Sequence, residues 1–582
     1  MPETAKPSSE APSMYCDLLV VGAGAGGMTA ALAAALRGLD VVLCEASDQV
    51  GGTTATSAGT LWVPGNRHGV QAGCGDTVDA ARHYLDAVLG EADPRGLRRA
   101  YLESANTAID FLESRSEVKF ASALRHPDYL EYPGAALAGR ALSPLPFDGR
   151  RLGRDFARIR APMQEFMVLG GMMANKADVQ ALVGRWRSWR NFAHVVRLVA
   201  RHARDRLRYA RGTRLVMGNA LVARLFFSLS QVGVAMHFQT RLQQLDTRDG
   251  RVVGAVFNQD NRTLRIAARA GVVLATGGVG HHAGLRAMLA PAGVPPETLH
   301  AQAFEGNRGD GIEIATSIGA RLDRHPRDFF WQPVSRVPRP GGHGLFPHLY
   351  LDRAKPGLIA VDGRGARFVN EGASYHHFVE AMLERGATPA YLVCDAAFVQ
   401  TYGLGAIAPG TRDLRPYEAS GYLVLAPTLD VLAAKLGMEA GALIASVEKN
   451  NRHAQAGADP EFGKGTTELS RFNGDAAHAP NPCLGPIACP PFCAMHLWPG
   501  EAASSTGLAT DADGAVLDTA EHPIPGLYAC GNDMASPLRG SYPGPGITIG
   551  PAMVFGCRIA LHAEATTASL SLSSTHASSL PT

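Results

Sequence analysis

Charge is scarce in this chain and evenly divided. Only 19% of its 582 residues are charged, and 55 basic against 53 acidic residues leave a net charge of +2. Such a balance offers no general attraction for nucleic acid or for a polyacidic partner. Cysteine is sparse too: nine residues, an odd number, with no Cys-x-x-Cys pair. Cys483, Cys489 and Cys493 fall close together without a matching histidine set. Reduced thiols are therefore expected, with neither a disulfide framework nor a bound metal. No unbroken apolar run approaches the roughly 20 residues of a bilayer span. The stretch from Met1 to Met14 mixes Pro, Ser, Glu and Lys and lacks the apolar centre of an export signal, so a cytoplasmic location is expected. Residues 1–14 and the Ser/Thr-rich 566–582 read as disordered ends.

What the chain does have is length, hydrophobic residues (46%) and 65 glycines. A chain of 582 residues outgrows a single core and points to two joined domains. The glycines are not scattered at random. Leu18 to Val21 is an apolar run followed by Gly22-Ala23-Gly24-Ala25-Gly26-Gly27, an alanine-rich helical segment to Arg37, and a second apolar run, Val41 to Cys44, that ends at Glu45. Strand, glycine turn, helix, strand and acid, in that order, make a dinucleotide-binding unit. Gly22 permits the tight turn and Gly24 lets the backbone approach a pyrophosphate. Gly27 allows close helix–strand packing, and Glu45 stands where ribose hydroxyls would lie.

Further glycine turns suit a longer cofactor than NAD. Gly51-Gly52-Thr53-Thr54-Ala55-Thr56-Ser57-Ala58-Gly59 is rich in small and hydroxylated residues. Downstream, apolar runs end in Ala275-Thr276-Gly277-Gly278 and in Cys530-Gly531-Asn532-Asp533. Near the end, Ser541-Tyr542-Pro543-Gly544-Pro545-Gly546 sets a phenol in a stiff turn just before an apolar helical segment. Unpaired N–H groups at such a helix start attract a carbonyl or anionic oxygen.

Together the glycine elements resemble the FAD-binding elements of the fumarate reductase and succinate dehydrogenase flavoproteins. The tyrosine turn is similar to that of the 3-ketosteroid Δ1-dehydrogenases, and the likeness runs from about Tyr15 to His562. Arg367-Phe368-Val369-Asn370-Glu371 with Tyr375, and Gly309-Asp310-Gly311, also fit that family. The resemblance implies an α/β fold: a Rossmann-like FAD-binding domain in two pieces, 15–300 and 497–565, around an inserted α+β capping domain of 301–496. It implies noncovalent FAD, since Thr53 to Gly59 contains no histidine, and adds Leu242, Thr548 and Ile549 to the flavin contacts. It implies a cyclic ketone substrate whose oxygen is held by the Tyr542 hydroxyl and the Gly546 N–H. Tyr375 then takes the α-proton with support from Tyr129, for which Tyr132 is a rival in the same loop. The electron acceptor is expected to be quinone-like or oxygen.

Rival readings remain at this point. A fumarate- or urocanate-type reductase would run the hydride the other way, but such enzymes carry an Asn-Arg-Leu-Gly-Gly-type turn where this chain has Ser-Tyr-Pro-Gly-Pro-Gly. A desaturase of a smaller alicyclic keto acid fits the same turn, and Arg539 either binds a carboxylate or pairs with a surface acid. A flavin-binding sensor would need no base at all. His376 and His377 adjoin Tyr375 and either tune it or are structural. Finally, Arg185 to Arg214, in a basic helical insertion of about 150–214, interleaves Trp186, Trp189 and Phe192 with eight or more arginines. Arginine stems covering a solvated helix face explain it, and so does peripheral contact with anionic lipid.

Overall fold

The computed structural model describes residues 12–577 apart from 187, 326, 350 and 351. Two sheets organise it. The first has the order 235–237, 41–44, 14–21, 262–274, 251–259, 240–248, with 523–529 joining along 262–274. Its centre is parallel: Leu18–Val21 pairs on one side with Val41–Cys44 and on the other with Gly271–Leu274. Strand Met14–Val21 is buried from Leu18 onward on both faces, which its continuous apolar sequence dictates. Helix Ala25–Ala35 covers one face and packs against the terminal helix Ile549–Ala577. Gly556 lies against Gly26 O and Ala30 N, where a Cβ would come within 2.9 and 3.0 Å.

The second sheet runs 342–347, 329–339, 492–504, 390–395, 358–361. The 13-residue strand Phe492–Ser504 is its spine, also pairing with His300–Ala301 and Val424–Ala426. An α/β flavin-binding sheet capped by a second, mostly antiparallel sheet is the fold class the sequence implied. The expected boundary at residue 497 cuts this spine, however. Its whole length belongs to the cap, because both neighbours, 329–339 and 390–395, pair along it.

The ends differ as well. Regular strand begins at Met14, inside the stretch expected to be disordered; residues 1–11 lie outside the described residues. The last helix continues to Ala577, past the expected break at 566. Its hydroxyl residues fold back on the helix: Thr566 donates to His562 O and Ser569 to Ala565 O, which lets them sit inside a helix without breaking it. Residues 578–582 lie outside the described residues. All nine cysteines are free thiols, and no His/Cys/Asp/Glu metal cluster occurs among the described residues. No described helix is long and apolar enough to cross a membrane.

Candidate active site

One cleft, about 1900 Å³ including its open mouth, runs from the first glycine turn to Tyr542. At one end the glycine turns interlock. Gly22 has φ +106°, and a Cβ there would lie 2.2 Å from Ala275 O, so the turn admits only glycine. Beside Gly24, by contrast, a Cβ would meet nothing within 4 Å beyond its own chain neighbours. That space is what a phosphate approaching the helix N-terminus needs. Glu45 is anchored by Ala23 N–H (2.8 Å) and by the Ser47 N–H and hydroxyl (both 2.9 Å). Asp533, fully buried, accepts from Thr276 N–H (2.5 Å) and Gly278 N–H (2.8 Å) and so fastens two turns together. Burial pushes its pKa up and those donors oppose the shift. Asn307 bridges Thr53 Oγ1 (3.1 Å) and Gly277 O (2.9 Å). An open glycine cradle, a helix start and a fixed acid fit the pyrophosphate and ribose of FAD.

At the other end three tyrosines meet. Tyr129 and Tyr375 hydroxyls are 3.4 Å apart. The Tyr542 ring lies parallel to Tyr129 at 5.7 Å and edge-on to Tyr375 at 5.0 Å. Tyr542 is buried, which raises its pKa, while a hydrogen bond with Tyr375 pulls the other way. Tyr375 opens helix Tyr375–Arg385, whose cap Ser374 accepts from His377 N–H, so the base candidate sits at a positive helix end. Gly546 has φ +93° and its carbonyl accepts from Trp62 N–H (3.3 Å). Its own N–H has no protein partner among the described residues. A Cβ there would lie 2.5 Å from Thr60 O.

The family model for the FAD binding domain matches residues 17–549. The chain belongs to the FAD-binding-domain flavoproteins. It is 37% identical to the 4-oxocyclohex-2-ene-1-carboxylate 5-dehydrogenase of Sinomonas cyclohexanicum, over 94% of this chain and 93% of that enzyme. It is 36% identical to the 3-oxosteroid 1-dehydrogenase of Mycolicibacterium smegmatis, over 95% and 98%. Among solved structures, the 3-ketosteroid Δ1-dehydrogenase of Sterolibacterium denitrificans in complex with 1,4-androstadiene-3,17-dione superposes with a TM-score of 0.88. Its identity is 34%, covering 95% of this chain and 100% of that one. This flavoprotein is an FAD-dependent oxidoreductase.

Most residues singled out in the sequence of the flavoprotein line the cleft, including Leu242, Thr548 and Ile549 from distant segments. Gly27, Gly51 and Gly278 do not. They shape its wall from behind: a Cβ on Gly27 would sit 2.0 Å from Gly22 O, on Gly51 2.9 Å from Ala55 Cβ, and on Gly278 2.6 Å from Ser504 Oγ. Between the two candidate loop tyrosines the fold discriminates, for Tyr129 is buried and Tyr132 is 49% exposed. Arg539 is exposed, lines no part of the cleft and makes no ion pair among the described residues. Burial, reinforced by His376, lowers the His377 pKa to about 4, leaving it neutral. His376 accepts from Trp331 N–H and lies against the Tyr542 ring at 5.9 Å. Sequence reasoning missed His126, Met163, Phe166, Gln332, Pro347 and Leu349 in the cleft wall. They share no motif, and only chain folding gathers them.

Proposed function

We infer that this flavoprotein desaturates a cyclic ketone, taking a proton and a hydride from adjacent carbons to leave an α,β-unsaturated ketone. The observation that carries the reading is the tyrosine cluster, with the Tyr129 and Tyr375 hydroxyls 3.4 Å apart, beside a Gly546 N–H without a protein partner among the described residues. FAD, when bound, accepts the hydride. The protein does the rest. Tyr542, kept protonated by burial, donates to the ketone oxygen with Gly546 N–H as the second donor. Such preorganised donors contribute about 3–4 kcal/mol each as enolate charge develops. Tyr375 takes the α-proton, and the Tyr129 hydroxyl supports its tyrosinate form.

The substrate end of the cleft favours a neutral ring over a keto acid. Met163, Phe166, Pro347 and Leu349 are apolar, and Arg308, the one Arg or Lys among the described lining residues, adjoins Asn307 in the cofactor half. Among the described lining residues, no Arg or Lys stands there to meet a ring carboxylate. Among the described residues no arginine lines the tyrosine end of the cleft, which also argues against a fumarate-type reductase. Anaerobic mixing of the purified protein with 3-ketosteroids and, separately, with 4-oxocyclohexanecarboxylate tests both points. Bleaching of the oxidised flavin band by the steroid alone is expected, and bleaching by neither would defeat the reading.

The basic insertion supports peripheral membrane contact. On and around helix Trp189–Arg206, Trp186 (77%), Trp189 (78%) and Leu207 (82%) are exposed. Exposed Arg190, Arg197, Arg204, Arg206 and Arg208 make no ion pairs among the described residues; Arg187 lies outside them. Exposed aromatic rings among unpaired cations suit an anionic lipid surface. An apolar ketone or a quinone acceptor would be concentrated at such a surface.

A further inference from the structure

Behind the tyrosines lies a buried polar cluster whose members, Trp62, Asp128 and Arg140, are not among the residues lining the cleft. Trp62, on the short strand Leu61–Trp62, is fully buried. Its backbone N–H donates to Gly546 O, and its indole N–H donates to Asp128 Oδ1 at 2.8 Å. The other carboxylate oxygen of Asp128 accepts from Arg140 at 2.6 Å and from Ala136 N–H at 3.0 Å. Arg140 also pairs with Asp76 (2.9 Å) and donates to Gly134 O (2.7 Å). Its guanidinium lies over the Trp62 and Tyr84 rings at 5.3 and 5.5 Å. Tyr84 in turn donates to Pro543 O at 2.7 Å, and Tyr129 N–H donates to the same carbonyl at 2.8 Å. Gly544 rests on the Trp62–Asp128 bond itself: a Cβ there would sit 2.5 Å from the indole nitrogen.

The connections reach the proposed reacting groups at three points. Asp128 precedes Tyr129, Pro543 follows Tyr542, and the Gly546 peptide is held directly. A buried ion pair is weak as a source of stability yet strongly directional. We propose that Trp62, Asp128 and Arg140 form a positioning network that sets the spacing of Tyr129 against Tyr542 and Gly546. The proposal rests on the roles assigned to those three groups above. Through this network the loop 128–136 and the turn 541–546, far apart in sequence, move as one unit. Misplacement of a reacting group by about 1 Å costs up to about 100-fold in rate.

Trp62→Phe tests it, since it keeps the backbone N–H and an aromatic ring while deleting the indole donor. Protein labelled with 3-fluorotyrosine gives a resonance for Tyr129, assigned by its loss in Tyr129→Phe. In Trp62→Phe this resonance should shift or broaden, and the limiting rate of flavin bleaching by a ketone should fall about 10–100-fold. KM and FAD content should hold. In a Tyr129→Phe background the further loss should be small, since the network acts through that residue. Arg140→Lys, which keeps the charge and loses the fork, should reproduce the pattern. An unmoved Tyr129 resonance in both variants overturns the proposal whatever the activity, and so does a fully additive rate loss. If neither variant yields folded holoenzyme, the cluster maintains the fold rather than the spacing, and the proposal falls. Failure of the desaturase reading looks different: the unaltered protein is bleached by no ketone, while the resonance still decides the network.

Discussion

Tyr129 and Tyr542, 413 residues apart, lie ring over ring with centroids 5.7 Å apart and planes 11° from parallel. Tyr375 meets the edge of both rings, at 5.5 and 5.0 Å. The packing holds three phenols in one buried corner of the cleft, with Phe330 edge-on beneath Tyr542 at 5.5 Å. Removing one hydroxyl while leaving its ring should therefore alter chemistry with little effect on folding.

Tyr542→Phe should lower the rate of flavin reduction by about 10²–10³-fold. Ground-state ketone binding should weaken far less, because the oxygen clamp works mainly in the transition state. A phenolic product analogue, whose oxygen resembles the enolate, should lose more affinity than the ketone. Melting temperature and FAD content measured on the same preparation separate this from a packing defect.

Tyr375→Phe should slow reduction by about 10²–10⁴-fold while substrate still binds. Exchange of the substrate α-hydrogen with solvent deuterium should collapse with it. Wild-type exchange in this variant would assign the base elsewhere.

Tyr129→Phe should also slow reduction, because the 3.4 Å contact with the Tyr375 hydroxyl is lost. Tyr132→Phe should leave the rate near that of the unaltered protein, since the ring is 49% exposed. Equal effects from the two would contradict the assignment of Tyr129.

Acid precipitation should release all the FAD into the supernatant, as expected of noncovalent binding. Glu45→Ala removes the acid that Ala23 and Ser47 hold in place, so FAD retention should drop while the apoprotein stays folded. Flavin left in the pellet would show a covalent bond.

The protein should co-sediment with vesicles containing phosphatidylglycerol and not with phosphatidylcholine alone. Trp186→Ala with Trp189→Ala should weaken the interaction, and raised salt should weaken it further. Equal binding to neutral vesicles would remove the electrostatic part of the argument.

The cofactor end was legible because its signals are local. Gly22, Gly24 and Glu45 lie within one strand–helix–strand unit, and at Gly22 a side chain would block the turn. The cap boundary was less legible. The sheet that Phe492–Ser504 joins is assigned only by its partners, 329–339 and 390–395. Hydroxyl-rich 566–577 read as disorder because its composition is polar, while the fold extends the preceding helix through it.

By itself the sequence determined the glycine turns, the acid at Glu45 and the tyrosine turn, because backbone conformation there depends on residues a few positions apart. Tertiary structure alone decided which loop tyrosine reaches Tyr375, since Tyr129 and Tyr132 share one loop and differ in whether they face Pro543 or solvent. It decided that Arg539 stands outside the cleft and that Asp128, Arg140 and Trp62 stand behind it. It also gathered Met163, Phe166 and Leu349 into an apolar wall. Those outcomes depend on contacts between segments tens to hundreds of residues apart, and no local spacing encodes them.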